Sequence, residues 1–460
     1  MRIYNILLLG FFTLSCISLT TAQEKNWTLR ACIEHALEEN ITIKQSALQV
    51  EEALIDSKDA LGNILPSLNA SASNFWNSGL VNDPRTGTNV DQTIRTSEYR
   101  ADLSVTLFDG LRNVRQFQRA KINQLLSQYN LGKSRDDIAL FVANSYLQIL
   151  LNKENLKVIE AQHKITLEQL ERTSELVDAG VLPQGDLLEI EATSADELTR
   201  IVQAENAVQI SLIALAQTLL IKDYENFDIG EQDYLVPASD ILNKSITEIT
   251  TKARESRYEV QIAQQNKLLA EQDVAIAKGA YYPTLSGSVR ASTFETGADR
   301  FISIDPVTST PIFASPDNIF DQFSDNRSII YGFSLSIPVF NGFQVRNGVK
   351  RNQINARRAE FQLEQATLDL DSNVYQAYLD AKGSAKAYEA TVVAVKAQER
   401  AYQYAKDRYD VGLTNAFDFS QSKFRLENAL SNEVQAKFDF IFKLKVLELY
   451  FGIKVADMKL

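Results

Sequence analysis

The segment 98-EYRADLSVTLFDG-110 decides how the chain is read. From Tyr99 every second residue is apolar, through Ala101, Leu103, Val105 and Leu107, and the residues between them, Arg100, Asp102, Ser104 and Thr106, are polar. A two-residue period with one oily and one wet face marks a strand. The pattern stops at Phe108-Asp109-Gly110, and no proline follows until Pro183. A similar alternation returns as 328-SIIYGFSLSIPVFNG-342, with Ile329, Tyr331, Phe333, Leu335, Ile337 and Val339 on one face and Ser328, Gly332, Ser334 and Ser336 opposite. A few half-oily strands thus sit in a chain that otherwise reads as long helix.

The chain is written twice. Gly62–Ser73 resembles Gly279–Arg290 at an offset of 217 residues, and Val105–Gly110 resembles Ile337–Gly342 at an offset of 232. The second offset then holds without a gap: Arg119 meets Arg351, Tyr146-Leu147 meet Tyr378-Leu379, Gly180 meets Gly412, and Asp186 meets Asp418. The extra length falls between the two strands of each half, so Asn77–Ser97 and Thr296–Arg327 read as exposed loops. Each half reads as helix, strand, strand, very long helix, turn, helix. The first repeat covers 23–221, with strands 67–76 and 98–108 and a long helix 111–179. The second covers 246–453, with strands 284–295 and 328–340 and a long helix 343–410. Residues 222–245 form a linker and 454–460 a tail. Pro66 and Pro283 end the first helix of each half.

The long helices carry a 3,4 apolar spacing. It runs Val142, Tyr146, Ile149, Leu156, His163, Leu167, Leu170, Val177 in the first half and Val374, Tyr378, Ala381, Ala385, Tyr388, Val392, Val395, Tyr402, Tyr409 in the second. That is a coiled-coil seam, and each helix would be about 100 Å long at 1.5 Å per residue. A rod-like scaffold would show the same seam, but it would not need the strands.

The formal charge of −12 argues against nucleic acid, which requires a basic footprint. Met1–Ala22 reads as a secretory signal peptide, with a retained anchor or an acylated Cys16 as alternatives. Cys32 is then the only cysteine left, and no intrachain disulfide is available. No HExxH, CxxC, Walker loop, GxSxG or GxGxxG occurs, so neither an enzyme, a cofactor nor a metal is expected.

Each strand is about ten residues long, the span a tilted strand needs to cross a bilayer. A soluble sandwich shows the same alternation, but its core would want Val and Leu where this chain has serine. Four strands cannot close. In hydrocarbon an open sheet has two edges of bare N–H and C=O groups, each costing several kcal/mol. Two copies give eight strands, too narrow for a pore, whereas three give twelve. The expectation is a mainly α chain with a membrane β-barrel, three copies forming twelve strands that continue into a helical tunnel.

This layout resembles the TolC-like outer membrane efflux (outer membrane factor) family across essentially the whole chain. The resemblance is carried by WTLRACIEHALEEN at Trp27–Asn40, LPSL at Leu65, YPTL at Tyr282, LFDG at Leu107, VFNG at Val339 and RYDVGLTNAFDF at Arg408–Phe419. It implies a homotrimer in the outer membrane of a Gram-negative bacterium, in contact with its lipids, with the tunnel in the periplasm. It also implies a tip that docks a periplasmic adaptor (membrane fusion protein) serving an inner-membrane transporter. Val411, Gly412, Leu413 and Thr414 match the family's docking motif, and Ala179, Gly180, Val181 and Leu182 are the divergent counterpart. Just past the turns, Asp418 with Gln421, and Asp186 with Glu189, together with Tyr409, stand where the family closes its periplasmic gate. Gln421 replaces a second aspartate, so the family's double acidic ring is not reproduced there. Glycine also suits these turns as a left-handed helix stop whether or not they bind anything, and Asp418 is equally a first-turn acid favoured by the helix dipole. The function implied is a passive exit duct for small molecules. A duct for type I protein secretion is the alternative within the class, and a soluble periplasmic scaffold the alternative outside it.

Overall fold

The computed structural model describes residues 27–82, 88–230 and 240–453. The expected signal peptide with Cys16, part of the linker and the C-terminal tail lie outside these residues. The chain divides into two compact units, and the division cuts across the repeats. One unit takes 46–131 and 258–367, the other the remainder. The reason is hydrogen bonding: the strands of both repeats pair in one sheet, so each half of the sequence supplies both units.

In the sheet unit, β1 (Ser67–Asn82), β2 (Asn89–Phe108), β3 (Thr284–Thr296) and β6 (Ser328–Ser336) form an antiparallel sheet in the order β1-β2-β3-β6. A separate hairpin, β4 (Arg300–Ile304) with β5 (Pro311–Ala314), and a short helix, α7 (Ile319–Asp325), occupy the connection from β3 to β6. Register places Leu68, Leu103, Val289 and Tyr331 in one row of side chains and Ala70, Ala101, Ala291 and Ile329 in the next. The other face carries Ser104, Ser288 and Gly332 in one row and Asp102, Arg290 and Ile330 in another. There the Arg290 guanidinium donates to Asp102 at 2.5 Å, and the Ser67 and Ser104 hydroxyls lie 2.9 Å apart. On the last strand the oily face is bare: Tyr331 and Phe333 are each 79% exposed. No helix among the described residues is long and apolar enough to cross a membrane.

Two strands outrun the expected bounds. Most of Asn77–Ser97, expected as a loop, is strand, with Asn77 opposite Ile94 and Val81 opposite Val90. Its Asn77, Ser78, Gly79, Asp91, Gln92 and Thr93 break the apolar alternation, so the stretch reads as loop. The last strand stops at Ser336, short of the expected Phe340, because Pro338 has no N–H for the ladder. The expected loop Thr296–Arg327 holds β4, β5 and α7.

The helices are α1 (Leu29–Glu39), α2 (Ile41–Gly62), α3 (Arg112–Asp178), α4 (Gln184–Thr218), α5 (Ile246–Ser256), α6 (Tyr258–Gly279), α8 (Gln344–Asp410) and α9 (Ala416–Tyr450). In the helical unit α1 starts where the Thr28 hydroxyl accepts from the Ala31 N–H, and it buries Leu29, Cys32, Ile33 and Ala36. These pack with Val142, Tyr146 and Ile149 of α3, Leu212 and Leu215 of α4, and Phe438 and Ile441 of α9. Phe227 and Ile229 join this core, and Trp27 bridges to Ile229. The segment expected as a linker or equatorial segment thus contributes packing through Phe227 and Ile229. In α8, Val374, Ala381, Val395, Tyr402 and Tyr409 are buried as the seam requires. In α3 the seam shifts. Beyond Ile149 the buried stripe is Ile159, Gln162, Thr166, Gln169 and Thr173, whereas Leu167 is 47% exposed. Thr166 and Thr173 there serve polar partners, which an apolar count overlooks.

The strand-to-helix joints differ between the halves. Gly110 and Leu111 have φ of 72° and 65°, and Gly342 and Phe343 have 59° and 63°. A Cβ on Gly110 would overlap the Gly279 carbonyl oxygen, whereas a Cβ on Gly342 meets nothing within 4 Å. Gly342→Ala is therefore expected to cost only the left-handed penalty of about 1–2 kcal/mol. Gly110→Ala adds a backbone clash and should lower the thermal unfolding temperature by clearly more. Equal melting of the two purified variants would contradict this.

Candidate functional site

Both helical hairpins of the helical unit turn on a glycine. Gly180 has φ of 71° and donates to the Val177 carbonyl at 2.9 Å, while Val181 N–H reaches back to Leu176 at 2.8 Å. Gly412 has φ of 73° and bonds Tyr409 at 2.9 Å, while Leu413 N–H reaches Arg408 at 2.8 Å. This is the Schellman ending, in which a left-handed residue lets two amides satisfy the last carbonyls. The turns present apolar side chains to solvent: Val181, Val411 and Leu413 are each about two-thirds exposed (67%, 68% and 68%). Ala179 is also exposed, and Leu182 and Thr414 are half-buried.

Beyond the second turn, Asn415 caps α9 by accepting from the Asp418 N–H at 2.8 Å, and the Thr414 hydroxyl donates to the Asp418 carboxylate at 3.2 Å. Asp418 is thus an exposed first-turn acid. Asp186 occupies the matching place in α4, which Pro183 starts without a side-chain cap. Glu189 and Gln421 line one groove of about 370 Å³ between α4 and α9, together with Asp196, Arg200, Phe417 and Phe424. Asp418 and Asp186 do not line it.

Tyr409 is buried and stacks on Phe419 at 5.1 Å. Its hydroxyl lies 3.2 Å from that of Thr173. Burial pushes its pKa up, and the Asp186 carboxylate adds to this. One residue away on each helix, Arg172 pairs with Asp410 at 3.0 Å. The end of α3 is thereby tied to the end of α8 by one neutral and one charged contact. Tyr409 and Asp186, both expected at this end, lie within electrostatic reach of each other. Thr173, Arg172 and Asp410 are partners that the sequence reading missed.

It also missed a buried polar cluster at the floor of the groove. Lys423 donates to Glu197 at 2.7 Å and to the Thr166 hydroxyl, which in turn donates to Glu197 at 2.6 Å. His163 approaches the same carboxylate at 3.3 Å, and Arg200 pairs with Glu427. The Lys423 and Glu197 side chains are only 3% and 2% exposed. Burial lowers the Lys423 pKa against the pull of Glu197, and burial raises that of Glu427. The signal was present: Glu197 falls seven residues from both Ile190 and Ala204 on the buried stripe of α4, and Lys423 falls between Phe419 and Leu426 on that of α9. Among the described residues no group of three or more His, Cys, Asp or Glu could hold a metal.

Removing one member of a buried ion pair strands the other, which typically costs about 3–5 kcal/mol. Glu197→Gln is accordingly expected to lower the thermal unfolding temperature strongly. The double variant Glu197→Met with Lys423→Leu should recover most of the loss, and a double variant no better than Glu197→Gln would show that the pair is not the cause.

Comparison with known proteins agrees with this geometry. The family model for outer membrane efflux proteins matches residues 32–219 and 249–447. Outer membrane protein TolC of Vibrio cholerae is 23% identical over 332 residues, 72% of this chain and 70% of its own length. Alkaline protease secretion protein AprF of Pseudomonas aeruginosa is 22% identical over 449 residues, 93% of this chain and 85% of its own. The crystal structure of the outer membrane protein VceC from Vibrio cholerae superposes with a TM-score of 0.76 at 16% identity, over 93% of this chain and 96% of that one. Members of the matched family are channels rather than enzymes. With the family model spanning most of both repeats, the chain belongs to the outer membrane efflux protein family and is a TolC-like efflux channel of the Gram-negative outer membrane.

Proposed function

We propose that three copies of the chain close one twelve-stranded barrel and act as the exit duct of a tripartite efflux system. The observation that carries this reading is the open sheet: β1 and β6 are edge strands, and the face bearing Tyr331 and Phe333 is uncovered. Pairing β6 of one copy with β1 of the next removes every edge from hydrocarbon. The serine-lined face with its Arg290–Asp102 pair then borders water, and the oily face borders outer membrane lipid.

The turns are the docking tip in this reading. Val411, Gly412, Leu413 and Thr414, with Ala179, Gly180, Val181 and Leu182, offer exposed apolar side chains on rigid Schellman endings to a periplasmic adaptor, which couples the duct to an inner-membrane transporter. Tyr409, Asp186, Glu189, Asp418 and Gln421 form the gate region. Tyr409–Thr173 and Arg172–Asp410 hold the helix ends together, and a threefold axis would gather three Asp418 carboxylates into a ring that attracts cations. No nucleic acid partner is implied by the acidic chain. A duct for protein secretion is the second reading, favoured by the similarity to AprF along 93% of the chain.

Light scattering of detergent-solubilised protein should return the mass of three chains; a monomer that stays folded without detergent would overturn the duct. Single-channel recording of Asp418→Ala should show a weakened cation preference, and unchanged selectivity would remove Asp418 from the gate. Gly412→Trp should abolish adaptor capture while leaving the trimer intact, and undiminished capture would move the docking site elsewhere.

A further inference from the structure

The connection from β3 to β6 contains α7, and among the described residues the first repeat has no counterpart to it. Seven residues do not make a stable helix in water by themselves, yet α7 is firmly held. Asn318 caps it, accepting from the Phe320 N–H at 2.8 Å. The buried Gln322 amide accepts from Thr296 N–H at 2.9 Å and donates to the carbonyls of Thr296 and Asp317 at 3.1 and 2.8 Å. The Thr293 hydroxyl donates to the Phe323 carbonyl at 2.9 Å, and Asn326 donates to that of Phe294 at 2.8 Å. The Phe323 ring sits edge-on to Tyr99 at 5.0 Å.

These contacts say which side of the sheet the helix covers. Tyr99 and Thr293 are cross-strand partners, and by alternation they share the face of Ala101, Leu103, Val289 and Ala291. This is the oily face. They also give the depth. The helices α2, α3, α6 and α8 all join the sheet unit at one end of the strands. From Leu285 near that end, Thr293 is the ninth residue along β3, and a tilted strand needs about 9–11 residues to cross the hydrocarbon. So α7 lies on the lipid-facing side, one membrane thickness from the helix joints. On it Phe320 is 80% exposed and Ile319 44% exposed, while Asp321, Ser324, Asp325 and Arg327 supply polar neighbours. An exposed phenyl among polar groups at that depth fits the boundary between acyl chains and headgroups, where amphipathic aromatic surfaces are favoured.

We propose that α7 is an interfacial anchor, seating Phe320 in lipid at the outer rim of the barrel as a continuation of the face that carries Tyr331 and Phe333. This rests on the membrane reading above, and the test separates the two. In a Cys32→Ala background, nitroxide labels are placed by Phe320→Cys or Phe333→Cys. The protein, processed at its signal peptide so that Cys16 is gone, is then reconstituted in vesicles of phosphatidylethanolamine and phosphatidylglycerol. Collision rates with oxygen, which partitions into lipid, are compared with those of a water-soluble nickel chelate. At both sites oxygen should exceed nickel severalfold, with the Phe320 label shallower than the Phe333 label. A nickel-dominated Phe320 label beside a lipid-immersed Phe333 label would overturn the anchor and leave the barrel standing. So would a Phe320 label shielded from both reagents, which would place it against another protein surface. Nickel dominance at both sites would sink the membrane reading and the anchor with it.

Discussion

A peptide group in hydrocarbon has no water to bond, and this requirement governs the sheet unit. It fixes which residues the strands carry and where they stop. Along the paired strands the ladder takes up the N–H and C=O groups, so the faces are free to differ: Leu103, Val289 and Tyr331 on one side, Ser104, Ser288 and Gly332 on the other. At β1 and β6 the requirement is not met inside one chain. A soluble protein would hide such edges under a helix or blunt them with charge. Here Ile329, Tyr331 and Phe333 line an edge strand instead.

The helical unit meets a different problem, that of register. Long helices packed by apolar contacts alone can slide by a turn at little cost. The seam of α3 changes from Val142, Tyr146 and Ile149 to Gln162, Thr166, Gln169 and Thr173 as it approaches the turn. Buried polar groups are poor stabilisers relative to apolar ones, but a hydroxyl that bonds across helices keeps its partner only in one alignment. Thr166 meets Glu197 and Lys423, and Thr173 meets Tyr409. The end of the hairpins that carries the turns is thus the end where alignment is specified most tightly.

The duplicated layout, the two glycine turns and the four strands of the main sheet were legible because each rests on a local rule: period two for a half-oily strand, period 3.5 for a seam, glycine for a left-handed stop. What was not legible rests on partners distant in sequence. Asn77–Ser97 looks like loop until β1 and β2 pair over it. Leu167 looks like core until Thr166 is seen to take that place. Asp418 and Asp186 stood out by position in the repeat, whereas Thr173 and Arg172 did not, since hydroxyls and surface arginines are common on any helix.

The joints where strand becomes helix are a place where the two repeats obey different mechanics. At Gly110 the backbone is wedged against Gly279, while at Gly342 the surroundings are open. Bending where helix leaves sheet would then be concentrated, in each chain, at the Gly342 joint, with the Gly110 joint as the fixed one.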